Sequence, residues 1–276
     1  MEVDMTESAK KIATVDPIWS QIREEAMQMA EKEPALSGFL NATILNFERL
    51  EMAIASHLSE KLANSEIGAG TLCEVFEEAF SDNKAVSTAM RADIVAHFDR
   101  DPACRTYLDP VLYFKGFLAL QTYRAANWLI NEGRRGMALY LQNRASEVFQ
   151  ADIHPAANIG KGVFIDHATG VVIGETASVG DDVSMLHGVT LGGSGKEGGD
   201  RHPKIGDGVL ISVGAKVLGN IRVGECAKIG GGSVVLTDVP AYTTAVGVPA
   251  KIVGKVTTPE PSRQMDHSVG QDGDSI

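Results

Sequence analysis

The sequence predicts an α+β chain in three unlike parts: an all-helical stretch over residues 1–150, a solenoid of short stacked strands over 151–256, and a flexible tail over 257–276. Three observations carry that division. Helical punctuation and bulky side chains are confined to the first 150 residues, aliphatic side chains recur every sixth position along the middle stretch, and the final stretch is poor in large apolar residues.

In the first part, Asp16-Pro17 reads as an N-cap followed by proline at the first helical position, and the helix it opens must stop before Pro34. From Asn41 to Leu62, the residues Ile44, Phe47, Leu50, Ile54 and Leu58 stand at helical spacing and predict one continuous helix. Gly68-Ala69-Gly70 breaks the chain, and Thr71 is placed to cap the next short helix. A further helix is expected over Lys84 to Phe98, ending at Asp99-Arg100-Asp101-Pro102. Pro110 opens another through Tyr123 to Ile130, and Gly133 and Gly136 interrupt it before a segment that ends near Phe149. Both tryptophans and four of the five tyrosines lie in this part, which therefore supplies the bulky core.

From about Ile153 the pattern changes. Every sixth residue from Ile205 is Ile205, Ile211, Val217, Val223, Ile229 and Val235. Four residues after each stands a second column of Val209, Ala215, Ile221, Ala227, Ser233 and Val239. Upstream, Ile153, Ile159 and Ile165 share the spacing, and an eight-residue step leads on to Ile173, Val179, Met185 and Leu191. A helix repeats at 3.6 and a strand at 2, so neither sustains six. A short strand plus a turn does, with the aliphatic residue pointing into a narrow prism and each coil stable only against its neighbours. The regularity breaks twice, at Asp166-His167-Ala168-Thr169-Gly170 inside the longer step and at the excursion from Gly192 to Lys204. Insertions in a solenoid emerge as surface loops, and loops on a rigid scaffold carry function. Each break holds a histidine.

The net charge of −11 argues against non-specific nucleic-acid binding. It is unevenly spread: residues 151–256 hold nine Lys/Arg against ten Asp/Glu, so the solenoid tolerates an anionic ligand that the two acidic ends repel. Cys73, Cys104 and Cys226 are scattered and odd in number, which fits neither a disulfide framework nor a cysteine-rich metal site. The N-terminus is acidic where a secretory signal is basic, and no apolar run reaches membrane-spanning length. A cytoplasmic protein without metal or membrane attachment is expected.

Several segments resemble the serine acetyltransferases, within the hexapeptide-repeat acyltransferases. They are Asp99-Arg100-Asp101-Pro102-Ala103, Asp152-Ile153-His154-Pro155-Ala156-Ala157, the Asp166 to Gly170 segment, Val189-Thr190-Leu191-Gly192-Gly193 and Gly198 through Lys204. The exit Gly247-Val248-Pro249-Ala250 belongs to the wider class. The resemblance implies a left-handed parallel β-helix with about three hexads per coil, capped by the helical domain. It also implies acetyl-CoA as donor, L-serine as acceptor and O-acetyl-L-serine as product, the first step from serine towards cysteine, with L-cysteine as feedback inhibitor. Active sites are implied between neighbouring β-helices of a homotrimer, with two trimers joined into a hexamer.

A serine hydroxyl that attacks a thioester needs a base, and imidazole suits the task near neutral pH. By motif position the resemblance makes His167 that base and Asp152 the carboxylate that orients it. The spacing alone leaves this pairing open, because fifteen residues fall short of a coil of about eighteen. Asp101 and Asp166 are the candidates for the ammonium group of serine, and Arg201 and His202 for its carboxylate. For CoA the candidates are backbone groups at Gly193 and Ser194, Val213 in a later coil, and Lys228 against phosphate, with Lys196 and Lys204 weaker. No oxyanion donor is identifiable, and His154 and His187 read as packing or turn-capping residues. The terminal Ile276 matches a family tail that enters the active site of O-acetylserine sulfhydrylase.

Three other readings stay open. A sugar or xenobiotic acetyltransferase would share the repeat and the base without needing Asp101, Asp166, Arg201 and His202. A zinc-dependent carbonic anhydrase on this scaffold could use three of His154, His167, His187 and His202. A partner-binding scaffold would need no turnover at all.

Overall fold

The computed structural model of the chain describes residues 16–81, 83–195, 198–256 and 258–268. Helix α1 (Pro17–Lys32) begins as expected: the Asp16 carboxylate accepts from the Trp19 amide at 3.3 Å, and the helix stops before Pro34. The continuous helix expected over Asn41 to Leu62 is divided into a π-turn at Asn41–Leu45 and α2 (Leu50–Leu62). The cause is tertiary. Trp19 Nε1 donates to the Glu48 carbonyl at 2.8 Å and Arg23 donates to the Phe47 carbonyl, so α1 takes carbonyls that an unbroken helix would use itself. Helix α3 (Ala69–Phe80) has Gly68 at its N-cap position, three residues before the cap expected at Thr71.

Helix α4 (Lys84–Arg100) ends on Asp101. The helix expected from Pro110 is two, α5 (Leu108–Leu112) and α6 (Lys115–Asn131), followed by α7 (Arg135–Phe149). The start of α6 packs closely on the solenoid: a Cβ on Gly116 would stand 1.9 Å from the Ile165 carbonyl oxygen. Only glycine lets the two backbones approach so far.

The solenoid is a parallel β-helix of three sheets. Its first face stacks β1 (Ala151–Ile153), β4 (Val171–Ile173), β7 (Thr190–Gly192), β10 (Lys216–Leu218) and β13 (Val234–Val235). The second face stacks β2 (Asn158–Ile159), β5 (Ser178–Val179), β8 (Lys204–Ile205) and β11 (Arg222–Val223). The third runs from β3 (Phe164–Ile165) through β6 (Ser184–Met185), β9 (Leu210–Ile211) and β12 (Lys228–Ile229) to the hairpin of β14 (Thr243–Gly247) and β15 (Ala250–Lys255). The whole first column, Ile205 to Val235, is buried, as are its upstream counterparts from Ile153 to Leu191. Among the described residues no helix is long and apolar enough to cross a membrane.

A polar clamp locks the helices to the prism. Asp93, fully buried on α4, pairs with Arg124 of α6 at 2.8 Å and accepts from Gln121 and from the Val163 amide. Arg124 also donates to the Gly160 carbonyl at 2.8 Å. Removing one partner of a buried pair strands the other charge. Asp93→Ala is therefore expected to lower the unfolding free energy by about 3–5 kcal/mol. Urea unfolding measures it, and a loss below about 1 kcal/mol would show that the junction does not depend on this pair.

Part of the expected flexible tail is packed. Short helix α8 (Pro261–Gln264) lies on the third face: Ser184 Oγ donates to the Ser262 carbonyl at 2.7 Å, and Arg263 pairs with Asp182 at 3.1 Å. The composition of the segment signalled polarity but not that the solenoid offers these partners. Ile276 lies outside the described residues.

Candidate active site

The extra two residues after Ile165 bend the corner between the third and first faces. His167 and Ala168 take left-handed backbone conformations, with φ of 56° and 57°, and Gly170 follows at 75°. Two consecutive non-glycine residues in that region hold strain, which persists only where surrounding structure imposes it. Here the Ala168 amide donates to the Asp166 carbonyl at 2.6 Å, the Thr169 amide to the His167 carbonyl at 2.7 Å, and the Gly170 amide to the Gln150 carbonyl at 2.8 Å. The corner is thereby held while the His167 side chain stands 73% exposed.

Around His167 gather groups from both parts of the chain. Its Nε2 lies 3.7 Å from the Asp166 carboxylate. Asp101, at the C-terminus of α4, shares with Asp166 and His167 the lining of a cavity of about 330 Å³, whose apolar wall includes Phe114 and Phe164. Burial pushes the Asp166 carboxyl up, and the charge of Asp101 adds to it, against His167 and His187. Two carboxylates that repel each other are relieved by a bound cation. The placement of Asp101 beside His167 joins residues 66 positions apart, through the Gly116 contact that seats α6 on Ile165.

Arg201 and His202 stand elsewhere. They pack on the corner between the first and second faces, next to Glu175 and Thr176. The Thr176 hydroxyl accepts from the Arg201 amide at 3.0 Å and the His202 amide at 3.2 Å, and lies 2.8 Å from His202 Nδ1. The Thr176 amide donates to that same Nδ1, which leaves the proton of the neutral ring on Nε2. Burial pushes the His202 imidazole down, with Arg201 adding, so the ring is neutral at pH 7 and offers an Nε2 donor. A Cβ on Gly174 would meet that Nε2 at 2.0 Å, so glycine is required beneath it. Arg201 donates to Glu175 at 2.7 Å and to the Gly199 carbonyl at 3.1 Å.

Strand β4 separates the two corners, roughly 13 Å of extended chain from Gly170 to Gly174. The chain therefore carries two separate clusters, with His167 and the two carboxylates on one corner and Arg201 and His202 on the next. Asp152, on β1, accepts from Gln142 Nε2 at 2.7 Å, and among the described residues it makes no hydrogen bond to His167. Gly193 and Ser194 belong to the Arg201 corner, while Val213 is 40% exposed below His167 on the other. Lys228 is buried, pairing with Asp266 at 2.9 Å and donating to the Ser268 carbonyl at 2.8 Å. In this structure its ammonium group meets the segment after α8. Among the described residues no three His, Cys, Asp or Glu side chains gather as metal ligands.

The N-terminal region of serine acetyltransferases matches residues 18–122, and the bacterial transferase hexapeptide repeat matches 202–237. The serine acetyltransferase of Escherichia coli K12 is 53% identical over 249 residues, 90% of this chain and 91% of that protein. The chain belongs to the serine acetyltransferase family. Its backbone agrees with that of the Brucella abortus serine acetyltransferase in complex with coenzyme A, with a TM-score of 0.86 at 54% identity over 88% of this chain and 98% of the other. A serine acetyltransferase in complex with cysteine matches at a TM-score of 0.90 and 50% identity, covering 91% and 98%.

Within this serine acetyltransferase framework the structure adds groups that the sequence did not reveal. Glu175 and Thr176 hold Arg201 and His202, Lys115 lines the cavity and donates to Thr169 Oγ1, and His187 lies against His167 with ring centroids 5.7 Å apart. Glu175 and Thr176 occupy ordinary turn positions of the repeat, so nothing in the spacing marks them.

Proposed function

We propose that this chain transfers the acetyl group of acetyl-CoA to the hydroxyl of L-serine, with His167 as general base, giving O-acetyl-L-serine and CoA. The observation that carries this reading is the exposed His167 imidazole set beside two carboxylates at the mouth of one cavity. The ammonium group of serine sits between Asp101 and Asp166, which turns its hydroxyl to the imidazole. The serine Oγ bonds to the thioester carbon while its proton passes to His167, and the collapse of the tetrahedral adduct expels the CoA thiolate, which takes that proton back.

The amino and carboxyl groups of serine share one carbon, so the groups that hold them must converge. In our reading, the Arg201–His202 corner of a second copy faces the His167 corner of the first, within a homotrimer whose helical domains join two trimers. The exposed Val172 and Val213, on and beside the first face, favour its burial against another copy. Asp152, on that same face, would then be in place to orient the base. L-Cysteine carries the same ammonium and carboxylate groups with a thiol in place of the hydroxyl, and so competes at this site as a feedback inhibitor. The product feeds O-acetylserine sulfhydrylase, which the Ile276 end would engage, and the reaction is cytoplasmic.

A thiol-release assay with acetyl-CoA and a panel of acceptors tests the proposal. Serine is expected to outrun sugars and other amino acids, and L-cysteine to suppress the rate. A sugar that outruns serine would overturn the acceptor assignment, and stoichiometric zinc in the purified protein would overturn the metal-free mechanism.

A further inference from the structure

The acetyl transfer proposed above needs a hydrogen-bond donor for the oxygen that turns negative when serine attacks, and such donors are worth most when fixed in advance. Most backbone amides of the His167 corner are already engaged, and that of His167 itself faces the Asp166 carboxylate. Those of Ala168, Thr169, Gly170 and Val171 donate to carbonyls within or beside the corner, and the Gly188 amide donates to the Thr169 carbonyl at 2.8 Å. Asp101 and Asp166 as carboxylates can only accept. Of the side chains that carry a proton here, Lys115 is held by Thr169 Oγ1.

His187 remains. It lies one coil from His167 on the same corner, and its backbone is gripped from both sides, by the Gly188 rung to Thr169 and by the Gly214 amide donating to the His187 carbonyl at 2.9 Å. The side chain is exposed, and its ring stands edge-on to His167 at 71°. Among the described residues its ring makes no hydrogen bond to a protein group. The next rung down the corner is Val213, reached through the same Gly214 contact, so His187 lies between the base and the stretch assigned to CoA.

We propose that an N–H of the His187 imidazole donates a hydrogen bond to the carbonyl oxygen of the acetyl thioester and stabilises the oxyanion formed there. Reacting atoms close to about 3–3.5 Å, and the base lies within about 3 Å of the serine hydroxyl. The thioester oxygen therefore comes within about 6 Å of the His167 ring, which His187 reaches at a centroid distance of 5.7 Å. As the π pair moves onto that oxygen, the His187 N–H shortens its contact without giving up its proton. The adduct then collapses as described, the proton returning from His167 to the CoA thiolate. His187 gains and loses nothing, so its role is a donor's and not a second base's. Asp166, Asp101 and Lys115 are charged groups that face this corner.

Steady-state kinetics of His187→Ala and His187→Gln separate the possibilities. Alanine is expected to lower kcat about 10²-fold, with the KM for serine changed by less than about threefold and the melting temperature retained. Glutamine places an N–H near the same point and is expected to recover kcat to within about tenfold of the parent. An alanine variant with parental kcat, a loss confined to KM, or equal losses in both variants would each overturn the assignment. The last outcome would mean that the site needs a titrating imidazole. His167→Ala in the same assay keeps the two readings apart: if it retains turnover, the base assignment fails whatever His187 does.

Discussion

His167→Ala is expected to lose about 10³-fold in kcat, within the 10²–10⁴-fold range of a positioned base, with stability nearly unchanged. Both halves of that expectation come from the corner geometry. The ring is 73% exposed and its closest ionic partner is Asp166 at 3.7 Å, so truncation removes little packing. The backbone at φ 56° is held by hydrogen bonds of neighbouring peptide groups, none of which involves the imidazole. Histidine is among the residues enriched in the left-handed region, so alanine there is somewhat less comfortable. A loss of stability beyond about 1 kcal/mol would indicate that the ring supports the corner itself. His167→Asn separates the two effects, since asparagine accepts the backbone but cannot take the proton from serine at neutral pH. A kcat within tenfold of the parent in either variant would remove His167 from the role of base.

The scaffold was readable because its physics is local and repeated. Each of Ile205, Ile211, Val217, Val223, Ile229 and Val235 fills the same slot in the prism, so one interval in the sequence reports one geometric fact many times. The break at Asp166 to Gly170 was readable for the complementary reason: two extra residues have no slot, and they emerge as the left-handed corner that presents His167. What the sequence concealed depends on partners far along the chain. The helix expected from Asn41 to Leu62 divides because Trp19 and Arg23 reach across to the Glu48 and Phe47 carbonyls. His187 read as packing because only stacking one coil on the next brings it to His167. The spacing shows the position of Lys228 but not that Asp266, 38 residues on, is folded against it.

Mixing two inactive variants is expected to restore activity. His167→Ala retains an intact Arg201 corner, and Arg201→Ala retains an intact His167 corner. If each site is built from the His167 corner of one copy and the Arg201 corner of its neighbour, a randomly mixed ring contains interfaces that pair the two intact halves. A directional interface joins an Arg201→Ala copy to a His167→Ala copy in the productive order in about one case in four, so the refolded mixture should recover about a quarter of the parental rate. Against the loss expected for His167→Ala alone, that is a gain of some hundredfold. A site contained within one protomer predicts the opposite, because every copy would carry one broken half and the mixture would stay as inactive as its components. The structure gives this test its force: β4 holds the two corners apart, and Arg201 turns to Glu175 and Gly199 instead of reaching along the face. The Glu175 contact sets a further condition on productive binding. It leaves the guanidinium with unused N–H groups for a serine carboxylate, while the neutral His202 ring, fixed by Thr176, supplies the second donor. Serine binding in the mixed assembly should therefore show the parental KM even though only a quarter of the sites turn over, since each restored site is complete.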